Sequence, residues 1–351
     1  MGKTTGCFEI HEIQFRPEAR HALGSLRCLL FVALLGCAGG CKATTAAPEI
    51  PLFDVIYEPS GVQQLPDGRL VVIEDESAYP LDVVVLQPDG QLLEQPLYRA
   101  SLFSWASRNR ILGTIDDLEG IAVDAQGRAY VITSHSRKSN GKRAREREQL
   151  VRFRIEGERI ADVQIVRDLL KELVMANPLL EDAVEIRNVK DDGGFNIEGL
   201  SFDASKERLL IGLRSPLAGT DAIILSVENP HAIFDEDQAP RISNQLIQLD
   251  LDGGGIRALA YDPHLGGYLI ISRKPGKSFK FWFWSGDVAH SPRRIRAPKL
   301  QQLSRPEGIA PVLRDGKPVG IFVVSDDGSG VEAKPGHYLL VPYDQLKIGN
   351  E

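Results

Sequence analysis

The chain has 351 residues, a formal net charge of -7 and a pI near 5.6, a balance that argues against general nucleic-acid binding. All four cysteines (Cys7, Cys28, Cys37 and Cys41) precede residue 42, so the remainder has no disulfide, thiol nucleophile or cysteine-ligated metal. That remainder, about 300 residues, is long enough to bury a large core as one all-β domain or two smaller ones.

Residues 1–41 read as a leader. Arg16, Arg20 and Arg27 precede the apolar run CLLFVALL (Cys28 to Leu35), and small residues follow. That order describes a secretory signal. Eight apolar residues span roughly 12 Å as a helix, far short of a bilayer core. The stretch before Arg27 is long for a signal n-region, as a start codon placed too far upstream would make it. LLGC ending at Cys37 and AGGC ending at Cys41 both resemble the lipobox of bacterial lipoproteins. Cys41 has the better small residues before it and is taken as the lipidated residue; Cys37 has the better leucine, and plain cleavage near Ala47 is the alternative. Lys42 then suits outer-membrane sorting by analogy. The expectation is an exported, lipid-anchored protein of the bacterial envelope, with a linker over 42–49.

Beyond the linker, one pattern returns five times: an alternating strand, a turn, then a buried apolar strand. The copies are Tyr57 to Ser77, with Asp67-Gly68 at the turn; Leu118 to Ser136; Phe195 to Pro216; Gly253 to Pro275, with Gly266-Gly267 at the turn; and Ser304 to Gly330. Further strand-like sequence follows each hairpin, and after the last copy only HYLLVPY precedes the C-terminus. The spacing is that of propeller blades. The sequence predicts an all-β fold, a β-propeller of five blades over 50–346, six being the alternative count and a pair of sandwiches the competing architecture. Ile50 to Tyr57 would complete the last blade and close the ring, which removes open sheet edges. Val166 to Glu185 is amphipathic and predicts a helical insertion between blades, and 347–351 is assigned as a tail.

Three copies begin with Glu-Gly: Glu119, Glu198 and Glu307. Reflecting each hairpin about its turn places Glu119 near Ser134 and His135, Glu198 near Arg214, and Glu307 near Ser325 and Asp326. The same operation pairs Glu58 with Glu74 and Asp75, and sets Gly255 and Arg257 opposite Ser272 and Arg273. Innermost propeller strands line the channel, so these groups converge on one mouth. Glu198, Glu119 and His135 are the candidate acid/base residues, with Arg214, Arg273, Glu307 and Asp326 as ligand-binding residues. Gathered carboxylates share protons or bind a hard cation such as calcium, and arginines beside them hold phosphate or carboxylate. The competing role for each Glu is structural, capping backbone amides of the next blade. Gly after each Glu allows close backbone approach or positive φ.

The segments LEGIAVD…YVITSHSRKSNGK, FNIEGLSFD…LLIGLRSPL, AIILSVENP and GGGIRALAYD together resemble the bacterial family catalogued as domain of unknown function 3616, from about Val55 to Val341. The Glu-Gly-Ile-Ala pattern is more distantly similar to phytase-like, esterase-type propellers. The gathered charges imply a small anionic or polar ligand at the channel mouth, and the distant likeness implies ester or phosphoester hydrolysis as the chemistry if the site is catalytic. A non-catalytic scaffold that binds another envelope protein is the alternative.

Other signals are set aside. Ser134-His135-Ser136 lies on one strand, where neighbours face opposite ways, and no G-x-S-x-G elbow is present. PGKS at Pro275 lacks the upstream glycine of a P-loop, and no H-E-x-x-H occurs. DLDGGG at Asp250 lacks EF-hand spacing. The basic run Arg137 to Glu148 reads as a solvated loop, or as a cationic rim drawing anions to the channel. Phe279, Phe281 and Phe283 alternate with Trp282 and Trp284, as expected of a strand buried on both faces.

Overall fold

The computed structural model describes residues 50–75, 80–97 and 115–349. The leader, the linker and the Cys41 assignment lie outside them. The described strands form five antiparallel sheets. Blade one is β1 (Pro59–Gln64), β2 (Leu70–Glu74), β3 (Leu81–Leu86) and β4 (Leu92–Pro96). Blade two is β5 (Leu118–Val123), β6 (Arg128–Thr133), β7 (Leu150–Glu156) and β8 (Arg159–Val166). Blade three is β9 (Asn196–Asp203), β10 (Arg208–Ser215), β11 (Ala222–Val227) and β12 (Ile247–Leu249). Blade four contains β13 (Gly255–Asp262), β14 (Gly267–Arg273), β15 (Phe279–Trp284) and β16 (Arg293–Arg296). Blade five is β17 (Pro306–Arg314), β18 (Lys317–Ser325) and β19 (His337–Pro342). The expected all-β propeller of five blades is the observed fold.

Five separate apolar cores, one at each junction, hold the ring together. Val71 and Ile73 meet Ile121 and Val131 between blades one and two, and Tyr130 and Leu150 meet Leu200 and Ile211 between two and three. Val62 and Val72 meet Val312 and Phe322 between one and five, so the ring closes by burial. Strand β15 serves two junctions. Its Trp282 and Trp284 pack toward blade three, and Phe281 and Phe283 toward blade five. The two indoles spend their N–H groups on Ser272 Oγ at 2.8 Å and the Asp287 carbonyl at 3.0 Å.

Three features depart from expectation or refine it. Ile50 to Tyr57 forms no fourth strand of blade five; it makes an isolated bridge between Leu52 and His337 and buries Phe53 and Ile56. Side chains of blade one fasten the same segment: Glu94 accepts from the amides of Asp54 and Val55, and Glu74 from those of Tyr57 and Glu58. The tail assigned to 347–351 instead supplies β20 (Lys347–Gly349), which pairs with β16 in blade four. The insertion between blades two and three is helical as expected, with α1 (Leu169–Ala176), α2 (Glu181–Glu185) and α3 (Val189–Asp192). Leu169, Leu170 and Leu173 of α1 cover the core beneath.

The glycines after the bulged residues exist for contact, not for unusual backbone. Gly61, Gly120, Gly199 and Gly308 all lie outside the positive-φ set. A Cβ on Gly308 would sit 2.5 Å from Val324 Cγ2 and 2.9 Å from Gly61 Cα, the point where blades five and one touch. Gly308→Ala is expected to destabilise the ring by about 1–3 kcal/mol through overpacking, read as a lower urea midpoint with an unchanged slope.

Candidate functional site at the channel mouth

Each innermost strand carries an irregularity at the same place. Register shifts fall between Pro59 and Gly61, Leu118 and Gly120, Ile256 and Ala258, and Pro306 and Gly308. In blade three, Ile197 pairs with Leu213 and Gly199 with Gly212, which leaves Glu198 out of the ladder. A β-bulge turns its extra residue off the regular alternation. The five residues so presented are Ser60, Glu119, Glu198, Arg257 and Glu307. Ser60, Glu119, Glu198 and Glu307 line a cavity of about 10 Å³ among these strands, room for roughly one water or a bare ion.

This register corrects two sequence assignments. The blade-one equivalent of Glu119-Gly120 is Ser60-Gly61, two residues after Glu58, and the blade-four equivalent is Arg257-Ala258, not Gly255. The common signal is a small residue followed by an aliphatic one (Gly61-Val62, Ala258-Leu259), whatever charge precedes it.

Oxygens of Glu119, Glu198 and Glu307 all lie within 4.8 Å of one another. Arg257 bridges two of them: its Nη1 is 2.7 Å from Glu198, and its Nη2 contacts Glu307. Arg214 Nη1 donates to Glu198 Oε1 at 2.8 Å, the pairing expected from the hairpin reflection. Asn196 Nδ2 adds a contact at 3.3 Å. Glu198 is 1% exposed. Burial pushes its carboxyl up to about 7, against the pull of Arg257 and Arg214 and with help from Glu307. Burial likewise holds Glu119 well above the usual carboxylate range, reinforced by Glu198, Asp75, Asp117 and Glu307.

Around this centre lies a second tier. Asp117, with φ of 69°, accepts a hydrogen bond from Ser134 Oγ and lies 2.9 Å from Arg147 Nη1. Arg147 Nε also binds Asp116 at 3.0 Å. Asp326, beside Arg305 at 3.6 Å, is pushed up to about 7 by burial and then by Glu307.

Two predicted residues stand elsewhere. Arg273 is exposed, lies with its guanidinium 4.8 Å from the centroid of the Phe279 ring and donates to the Lys277 carbonyl; Arg257, one bulge deeper, is the blade-four cation of the site. His135 is buried, and its Nδ1 bonds the Thr133 carbonyl at 2.8 Å rather than any Glu. Burial lowers its imidazole to about 4, so it is neutral at pH 7. The basic run is not a free cationic rim. Arg137, Lys138, Arg143 and Arg147 pair with Glu185, Glu146, Glu148 and Asp116 in turn.

A carboxyl raised in the folded state favours folding below its unfolded value, and that contribution fades as pH rises through the folded value. From Glu198, wild type is expected to lose up to about 3 kcal/mol between pH 4.5 and 7 relative to Glu198→Gln. Melting curves of the two proteins across that range should converge at low pH and separate above it; parallel curves would contradict the assignment.

No curated protein sequence matches the chain at a significant level. Among solved structures, it is similar to the PQQ-bound aldose sugar dehydrogenase of Streptomyces coelicolor, with 15% identity, 83% of this chain and 98% of that one covered, and a TM-score of 0.41. A candidate oxidoreductase (glucose dehydrogenase) of Thermus thermophilus gives 12% identity, 83% and 100% coverage, and 0.41. The Malassezia sympodialis allergen Mala s 1 gives 12% identity, 82% and 79% coverage, and 0.37. Likeness at this level carries nothing across to the chemistry of this chain. The sequence model of a family described as protein of unknown function, DUF3616, matches residues 157–277, the stretch that holds Glu198, Arg214 and Arg257.

Proposed function

We propose that the propeller binds a small anionic or polar ligand at the channel mouth and hydrolyses an ester or phosphoester bond in it. The observation that carries this reading is Glu198. It is a buried carboxyl with a pKa near neutrality, fixed between one buried arginine and one that is partly open. The side chain of Arg214 is 32% exposed and is placed to hold an anionic group of the ligand while keeping contact with Glu198. A carboxyl that titrates near working pH suits general acid/base catalysis. Glu198 takes a proton from attacking water and returns it to the leaving oxygen. Arg257 holds Glu198 and Glu307 in place, and Asp326 supplies a second titrating group at the rim. Glu119 lies beside Glu198, and neither His135 nor Arg273 takes part.

The leader supports a place for this chemistry. Export followed by lipidation at Cys41 would anchor the propeller in the bacterial envelope, on the outer membrane. Cys41→Ala is expected to abolish incorporation of labelled palmitate and release the protein from the membrane fraction; unchanged labelling would point to Cys37 instead.

The reaction is tested with protein beginning after Cys41, assayed against phosphoesters and carboxyl esters beside Glu198→Gln and Arg214→Ala. Loss of an acid/base group costs on the order of 10²–10⁴ in turnover. Glu198→Gln should lose that much while still melting cooperatively, and Arg214→Ala should raise KM for anionic substrates above all. Equal turnover in wild type and Glu198→Gln would sink the reading, and turnover by neither on any substrate would favour a binding module.

A further inference from the structure

Glu119 differs from the other carboxylates of the mouth. It is 8% exposed, and among the described residues its carboxylate has no hydrogen-bond donor and no cation at ion-pair distance. Glu198 and Glu307 share Arg257, and Asp117 has Arg147 and Ser134. A buried carboxylate without a partner is costly, and a protonated one still needs an acceptor for its O–H. The chain retains this group at the bulge that turns it toward the axis.

Its nearest polar neighbours show what completes it. Glu119 belongs to two groups of three carboxylates whose oxygens lie within 4.8 Å of one another, one with Glu198 and Glu307, the other with Asp75 and Asp117. Calcium takes oxygen ligands at about 2.3–2.6 Å, so two ligands on one ion stand up to about 5 Å apart. Both groups meet that spacing. In the first, Arg257 engages two of the three carboxylates. In the second, Arg147, Ser134 and Ser136 all engage a single oxygen of Asp117, Oδ2, and none of them engages Glu119.

We propose that Asp75, Asp117 and Glu119 hold a hard divalent cation of the calcium class at the channel mouth. The donors are all carboxylate oxygen, which disfavours zinc and copper, and a three-carboxylate site completed by water tolerates the irregular geometry that calcium accepts and magnesium does not. Asp75 follows β2 of blade one, while Asp117 and Glu119 belong to blade two. The ion therefore ties two blades together beside Glu198. This site shares the mouth with the proposed hydrolysis but does not depend on turnover.

The test uses the full chain stripped with chelator, titrated with calcium chloride by calorimetry, and melted with and without calcium. Wild type should bind one calcium per chain and melt several degrees higher with it. Glu119→Gln and Asp117→Asn should each bind at least tenfold more weakly and lose the calcium-dependent rise in melting temperature. Without calcium, Glu119→Gln should melt no lower than wild type, since the amide replaces a buried carboxyl that has no donor or cation to lose. Asp326→Asn, outside the group, should keep the binding. Absence of heat and of any melting shift in wild type would overturn the proposal, as would Glu119→Gln binding within twofold of wild type or tighter binding of magnesium than calcium. Calcium binding without ester turnover would defeat the hydrolase reading alone; turnover that persists in chelator, with no calcium heat, would defeat this one alone.

Discussion

The polar centre of this molecule depends on a backbone irregularity repeated around an axis. A regular strand alternates its side chains between two faces, and in a propeller both faces of each blade are spent on the junctions with its neighbours. The bulges at Ser60, Glu119, Glu198, Arg257 and Glu307 take one residue per blade out of that alternation. The glycine that follows four of the five then permits adjacent inner strands to touch, as Gly308 touches Gly61. One geometric device thus supplies both the polar axis and the tight closure around it.

The charges gathered by that device are not balanced. Three glutamates meet a single deeply buried arginine. In a low-dielectric centre such a mismatch must be met by protons, by ions or by partly open cations at the rim. All three routes have residues to serve them: Glu198 titrates near neutrality, Glu119 faces two further aspartates, and Arg214 reaches solvent while still touching Glu198. The centre of the ring is therefore its least settled part, surrounded by five settled apolar cores.

Much of this is legible in the sequence because the repeat is written in turn residues and apolar alternation, which are local signals. The hairpins, the buried aromatic strand β15, the helical insertion and the Glu198–Arg214 pairing follow from such patterns. What escapes is what depends on register or on distance. The only mark a bulge leaves in residue type is a small residue before an aliphatic one, too weak to set register, so the sequence pattern aligns blade one on Glu58 instead of Ser60, and blade four on Gly255 instead of Arg257. Arg273 ends its strand as Arg214 nearly ends its own, but nothing in composition says that one lies on a phenylalanine while the other meets a glutamate. The short β20 is invisible because three residues carry no periodicity, and the Glu94 and Glu74 fasteners because they act across gaps of up to 40 residues.

Because the bulge belongs to the main chain, the identity of the side chain it presents is decoupled from the junctions that hold the blades. Ser60 and Arg257 occupy places where three other blades carry glutamate, and the ring accommodates all three chemistries. The axis behaves as a set of interchangeable sockets in a fixed frame. A single codon change at one socket resets the charge of the centre by one or two units while the frame remains intact. Relatives with the same frame can therefore diverge in ligand through these five positions alone, and sorting such relatives by overall identity would group them by frame and miss the divergence.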